Sequence, residues 1–257
     1  IAELLGVPAT QREDFKRWSD CLVRVLNERQ GPAWERARTG VFELVAYFRE
    51  CLDARRPHAS DEGDGGDLID VLLAAERRGE LQAREMVPYC TLLLGAGNET
   101  TTNLIGGMTI ALLDNPDQLA LLQERPELLP QAVEEALRFC SPVQALYRRA
   151  TRDLEIQDVH IAAGQDLALC YGSANRDPRK FEEPDRFDIL RDTAGHLGFG
   201  YGIHHCLGAH LARREARAVF KQLLPLLPKL TRVDEQVHWA PSWVVRGPDR
   251  LPLQRVA

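Results

Sequence analysis

Apolar residues recur at helical spacing through the first ~110 positions of the chain. Trp18, Leu22, Val25 and Leu26 share one face of a first predicted helix, and Val41, Leu44, Val45 and Phe48 share a face of a second. From Pro57 to Gly66 the pattern breaks into Pro, Ser, Asp, Glu and Gly, which predicts an acidic loop rather than a domain boundary. Helical periodicity resumes at Asp67. The longest predicted helix runs from Ala83 to Asp114 and stops before Asn115-Pro116. Its centre, Gly95-Ala96-Gly97-Asn98-Glu99-Thr100-Thr101-Thr102, puts glycines and threonines where helix propensity favours Ala, Leu or Lys. Small residues there let a flat or diatomic group approach the backbone. A threonine hydroxyl that leaves the i−4 carbonyl would widen the groove further.

Shorter helices are predicted from Pro116 to Glu124 and from Leu128 to Phe139. The period then changes to that of strands at Leu154 to Ile156, Val159 to Ile161 and Leu167 to Leu169, with Ala163-Gly164 as a turn. A last helix is predicted from Leu207 to Lys221. After it Trp243-Val244-Val245, Gly247-Pro248 and Leu251-Pro252-Leu253 suggest a closing hairpin. No internal repeat is present. The pattern is that of a mainly α protein with small β-sheets.

Composition narrows the function. The chain has 257 residues, 44% of them hydrophobic, enough for a well-buried interior, and a formal net charge of -6. No Lys/Arg run is long enough to follow a phosphate backbone, which argues against nucleic acid. No apolar stretch approaches the ~18 residues of a membrane span, and the N-terminus lacks a signal-peptide pattern, so a cytoplasmic protein is expected. Six cysteines lie scattered at 21, 51, 90, 140, 170 and 206 without a C-x-x-C pair, against a disulfide framework or structural zinc. Five are expected to be small core residues.

The sixth is different. In Phe199-Gly200-Tyr201-Gly202-Ile203-His204-His205-Cys206-Leu207-Gly208, three glycines and an aromatic lead through a cysteine into a helix. Glycine permits tight backbone conformations and close approach of a flat ligand. A helix N-terminus beside the sulfur favours thiolate over thiol, and a thiolate can hold an iron. A zinc site with His204 and His205 is disfavoured, because adjacent residues do not readily close a tetrahedron and no fourth ligand is near in sequence.

Phe199, Gly202, Cys206 and Gly208 fit the F-x-x-G-x-x-x-C-x-G loop of the cytochromes P450, and the chain resembles that family well beyond it. Glu135-Ala136-Leu137-Arg138 is similar to the family's E-x-x-R helix, Pro184-Asp185-Arg186-Phe187 to its P-x-R-F segment, and Ala96-Gly97-Asn98-Glu99-Thr100-Thr101 to its central helix. The four occur in family order. Ala209-His210-Leu211-Ala212-Arg213, Ala174-Asn175-Arg176-Asp177-Pro178 and the closing Arg246-Gly247 with Leu251-Pro252 also resemble soluble bacterial members.

The resemblance implies a P450 fold, haem b with Cys206 as thiolate ligand, and insertion of one oxygen atom from dioxygen into a small organic substrate. A thiolate ligand promotes O–O cleavage. Electrons would come from a nicotinamide cofactor through a ferredoxin- or flavodoxin-type donor. Arg148, or its neighbour Arg149 turned inward in its place, with His196 and His204, would meet the haem propionates, while Ala96, Gly97, Phe199, Gly200, Gly202 and Gly208 would line the haem. Glu99 and Thr100 would support proton delivery during dioxygen reduction. Glu135, Arg138 and Arg186 would form a buried network that positions the cysteine loop. His205 departs from the pattern, since an aromatic such as Phe commonly precedes the cysteine.

Ala145, Leu146, Val244 and Val245 are candidate pocket walls. Arg213, Arg214, Arg217 and Lys221 offer a basic helix face suited to an acidic electron donor. Residues 1–257 are expected to be one partial P450 domain, because Ile1-Ala2-Glu3-Leu4-Leu5 looks like an element already under way and the family's N-terminal third has no counterpart. A second chain completing the fold is a corresponding expectation. The alternatives are a non-catalytic P450-like module that recruits a partner, and peroxide-driven oxidation; the Glu99-Thr100 pair favours reduction of dioxygen.

Overall fold

In a computed structural model the chain is described at residues 1–27, 30–60 and 66–256. Residues 61–65, the middle of the expected acidic break, lie outside the described residues. The chain divides into two compact units, Ile1–Glu99 and Thr100–Ala257.

The first unit holds α1 (Arg12–Asn27), α2 (Pro32–Arg55), α3 (Leu68–Arg77) and the leading half of α4 (Ala83–Asp114). Its core gathers Phe15, Trp18, Leu44, Phe48, Leu52, Ile69, Leu73, Met86, Cys90 and Leu94. Phe15 meets Trp18 at 5.3 Å and Phe48 at 6.0 Å, both edge to face, the arrangement that ring quadrupoles favour. Leu26, expected on the same face, is exposed. The buried stripe of α1 runs instead through Phe15, Trp18 and Ser19.

Pro57 sits in a 3₁₀ turn, Arg56–His58, that closes α2, so the break begins later than its proline suggested. The next helix starts on Asp67, whose carboxylate accepts from the N–H groups of Ile69 and Asp70 in a capping box. Arg55 also donates to both oxygens of Asp67, at 2.8 and 2.6 Å. Gly6 lies alongside at φ +69°, and a Cβ there would fall 1.5 Å from Asp67 Oδ2, so the position admits only glycine.

The second unit continues α4 and adds α5 (Pro116–Glu124), α6 (Leu129–Cys140), the strands β1 (Leu146–Arg149), β2 (Leu154–Ile156), β3 (Val159–Ile161) and β4 (Asp166–Leu169), the one-turn α7 (Tyr171–Ala174), α8 (Ala209–Leu223), β5 (Leu230–Arg232) and β6 (Leu253–Arg255). Its core joins Leu104, Met108 and Leu112 of α4, Val133, Ala136 and Leu137 of α6, Phe187 and Ile189, and Ala216 and Phe220 of α8. α5 starts on Pro116, where a missing N–H costs nothing. α6 ends at Ser141, which takes a left-handed φ of 45° and returns its hydroxyl to the carbonyl of Arg138.

Among the described residues the strands pair antiparallel as β1–β4, β2–β3 and β5–β6. β1 was not anticipated: four residues carrying the charged pair Arg148-Arg149 give little alternation. Pairing with β4 sets Arg149 opposite Asp166, and the two form an ion pair at 2.7 Å. The closing hairpin also differs from expectation. Leu253 pairs with Arg232 in β5–β6, while Val245 bridges to Val143 and Trp239 to Pro248. The tail therefore returns to the segment after α6, and Gln144 N–H donates to the carbonyl of Val244 at 2.8 Å.

Candidate haem-thiolate site

α6 carries the anchor of the site. Glu135 and Arg138 are both fully buried, one turn apart. Arg138 Nε and Nη2 donate to Glu135 at 2.7 and 2.8 Å, its Nη1 donates to the carbonyls of Asn175 and Pro184, and Nη2 also donates to that of Arg186. All five guanidinium N–H groups thus have acceptors, which is what makes a buried arginine tolerable. The end of α7 and the Pro184–Arg186 stretch after it are thus pinned to one side chain.

The expected third cation of this network is a different residue. Arg186 contributes its carbonyl, while its side chain stays 55% exposed and pairs with Glu183 at 3.2 Å. Arg191, 11% exposed, directs Nε to Glu135 at 3.4 Å, where the N–H of Asp188 also donates, and it hydrogen-bonds the carbonyl of Glu182. Position 186 lies where the chain turns outward beside Pro184. Position 191 returns to α6, a reversal that motif spacing does not reveal.

Asn175 carries the anchor onward. Fully buried, it donates to Ser141 Oγ at 2.9 Å and accepts from the N–H of Leu197 at 2.6 Å, fixing the entry to the cysteine loop. The loop closes when Cys206 N–H donates to the carbonyl of Phe199 at 2.9 Å. Between them Gly200 and Gly202 take φ of +70° and +67°, conformations that side-chained residues rarely adopt. A short 3₁₀ turn, Gly202–His204, brings the chain round. Cys206 comes out exposed, two residues ahead of Gly208, the residue that caps α8.

Of the other cysteines, Cys90 is buried and its thiol is pushed up to about 11, chiefly by burial. Cys21, Cys51 and Cys140 are partly buried, whereas Cys170 is exposed, contrary to its expected core position. Among the described residues no cluster of three His, Cys, Asp or Glu side chains is arranged to hold a metal ion.

The expected propionate partners separate. Arg149 is engaged by Asp166, and among the described residues no carboxylate pairs with Arg148, which donates only to the carbonyl of Tyr147. His204 is exposed on the loop. His196 is committed elsewhere: Gly198 N–H donates to Nδ1 at 3.0 Å, and Nε2 lies 3.1 Å from Glu134 Oε2. Since a backbone N–H can only donate, the ring proton sits on Nε2 and is given to Glu134. Neither nitrogen remains for a propionate, which corrects the expectation for His196.

Glu134 escaped sequence reasoning, because a glutamate beside Glu135 resembles a solvated helix face. Its two oxygens accept from Arg213 Nε and Nη2 at 2.6 and 2.8 Å. Burial raises the carboxyl's pKa, but the hydrogen bonds from Arg213 and His196 outweigh it and hold the group down to about 2. Arg213, expected on an exposed basic face, is therefore turned inward, with its guanidinium carbon 4.4 Å from the centre of the Phe199 ring.

Ala96, Gly97 and Glu99 lie in the first unit and Thr100 opens the second. α4 is α-helical at every position through this stretch, so the expected local widening is not a change of helix type. A Cβ on Gly97 would meet Ile1 Cγ1 at 2.5 Å, so this small residue makes room for the side chain of Ile1. Of the candidate pocket walls, Ala145, Val244 and Val245 are buried and Leu146 is exposed.

The model of one protein family, described as "Cytochrome P450", matches residues 13–227. The chain belongs to the cytochrome P450 family. P450 107B1 of Saccharopolyspora erythraea is 40% identical over 99% of this chain and 61% of its own length. The vitamin D(3) 25-hydroxylase of Pseudonocardia autotrophica is 43% identical over 98% of this chain and 61% of its own. The crystal structure of P450BioI with a hexadecenoic-acid-bearing acyl carrier protein superposes with a TM-score of 0.89 at 36% identity, covering 99% of this chain and 65% of that one. This P450 chain thus spans about three fifths of the length of the relatives it matches.

P450 proteins bind haem b, and the loop suits that group. Around the exposed Cys206, Tyr201, Ile203 and Leu207 are 84%, 98% and 87% exposed. Apolar side chains this open, flanking one soft sulfur donor, fit a broad flat apolar ligand bound through its metal. Cβ atoms are missing at Gly200, Gly202 and Gly208, which keeps that face low.

Proposed function

We propose that this chain is the haem-binding part of a P450 monooxygenase, which inserts one oxygen atom of dioxygen into a small organic substrate in the cytoplasm. The observation that carries the reading is the exposed cysteine on a glycine-built loop, surrounded by open apolar side chains and tied through Asn175 to the buried Glu135–Arg138 pair. Cys206 would bind the iron, and Arg148 and His204 would meet the propionates with a guanidinium and an imidazole. The haem, once bound, supplies the oxygen chemistry; the polypeptide supplies position, proton delivery and the choice of target. Glu99 and Thr100, both half-buried on α4, supply an acid and a hydroxyl for moving protons.

Electrons would arrive from NAD(P)H through a ferredoxin- or flavodoxin-type donor. Arg214, Arg217 and Lys221 of α8 line one side of a groove of about 790 Å³ that Glu127, Leu129 and Leu224 also border, and these three cations suit an acidic partner. Arg213 drops out of that surface because Glu134 holds it.

The test is coupling of reductant to product in the full-length enzyme with a turned-over substrate and labelled dioxygen. One labelled oxygen atom is expected per product molecule, and Thr100→Ala should lower product per NAD(P)H by about tenfold or more. Unlabelled product contradicts the oxygenase reading, and unchanged coupling in the variant removes Thr100 from proton delivery.

A further inference from the structure

Glu134 stands at the centre of a cluster that serves none of the roles assigned so far. Its neighbour Glu135 faces the buried interior, while Glu134, one residue earlier on α6, points to α8 and the cysteine loop. Three groups converge on it. Arg213 grips both oxygens in a fork that fixes the plane of the guanidinium as well as its distance. His196 donates from Nε2, and its other nitrogen is locked by the N–H of Gly198, the residue before Phe199. A Cβ at Gly198 would lie 3.0 Å from that nitrogen and 3.1 Å from the carbonyl of Leu137, so a larger residue there would press on both. Arg213 then lies over the ring of Phe199 at 4.4 Å. The carbonyl of Phe199 in turn accepts from Cys206 N–H.

The cluster therefore reaches the cysteine by two routes. One is mechanical, through Phe199, whose ring is covered by Arg213 and whose carbonyl holds the backbone of Cys206. The other is electrostatic: Arg213, a permanent cation gripped by Glu134, lies over the ring of Phe199, the residue whose carbonyl accepts from the Cys206 N–H. A cation close to a thiolate draws electron density from it and favours the more negative, reduced state of a metal it binds. A carboxylate on that same cation opposes the effect, and His196 holds the carboxylate in place from the side of the cysteine loop.

We propose that Glu134, His196 and Arg213 are positioning residues that set the reduction potential of the iron held by Cys206, with Arg213 raising it and Glu134 offsetting Arg213. The inference rests on the haem-thiolate reading, and its signature is a pair of shifts of opposite sign. A purely structural role for the cluster would give variants that all move in one direction or simply lose haem.

The test is the ferric/ferrous midpoint potential of full-length, haem-loaded protein in four forms: wild type, Arg213→Gln, Glu134→Gln and Arg213→Lys. Arg213→Gln should move the potential negative, Glu134→Gln should move it positive, and Arg213→Lys should stay near wild type because it keeps the charge. If Glu134→Gln fails to load haem, the comparison of Gln with Lys at position 213 still reads the sign. Shifts of one sign, no shifts, or loss of haem as complete in Arg213→Lys as in Arg213→Gln would overturn the proposal. A wild-type protein whose reduced carbon-monoxide complex absorbs away from about 450 nm would instead remove the thiolate on which it rests.

Discussion

Arg191 and Arg186 differ by five positions and have opposite fates. The motif pointed to Arg186, yet its side chain lies largely in water beside Glu183, where an ion pair contributes little. Arg191 is almost wholly covered and shares Glu135 with Arg138. Arg186→Leu is expected to change stability by no more than about 0.5 kcal/mol, whereas Glu135→Ala, which strands buried cations, should cost about 3–5 kcal/mol. Arg191→Leu should fall between them. Chemical denaturation together with the haem-to-protein ratio checks the order, with Glu135→Ala expected to lose haem. A normally loaded, stable Glu135→Ala protein, or equal effects at 186 and 191, would contradict the assignment. The Glu135–Arg138 pair was readable only through its resemblance to the family's E-x-x-R helix, since two opposite charges one turn apart are equally common as an exposed surface pair. The partner from a distant loop was not, because its arrival depends on how residues 184–191 turn.

At the scale of elements, Glu134 fastens α6 to α8 and to the loop ahead of it. Its carboxyl sits at about 2 against an ordinary 4.5, so the folded state binds its proton less readily than the unfolded state. The clasp's contribution is therefore complete above about pH 4.5 and is lost as the pH falls towards 2, a difference of about 3 kcal/mol at most. Glu134→Gln should be less stable than the parent at neutral pH, and the gap should narrow across that acid window. Denaturation midpoints of both proteins between pH 7 and pH 3 provide the check; a gap independent of pH would place the clasp elsewhere.

The helices themselves were well foreshadowed. α4 and α5 match the predicted limits, and α6 and α8 differ from them by one or two residues at each end. Proline, asparagine and apolar period mark such ends locally. β1 and the tail pairings were hidden because short strands draw their identity from partners across the chain, such as Asp166 opposite Arg149 and Val143 opposite Val245.

For the molecule as a whole, the P450 match at residues 13–227 extends into both compact units, while the chain spans 61% of the relatives' length. Among the described residues no helix is long and apolar enough to cross a membrane. The four motifs that made the family legible in the sequence occupy α4, α6, the loop after α7 and the loop before α8. The cysteine loop was legible because glycine and cysteine in that order have few other uses; Glu134 and His196 were not, because their meaning arises only where α6, α8 and the loop meet. The reading as a whole depends on Cys206 holding the iron of a haem. The most direct measurement is the spectrum of the reduced, carbon-monoxide-bound full-length protein beside its Cys206→Ser variant. A band at about 450 nm in the parent that the variant lacks is the predicted result, and a parent spectrum without that band, or one unchanged by the substitution, would contradict the account.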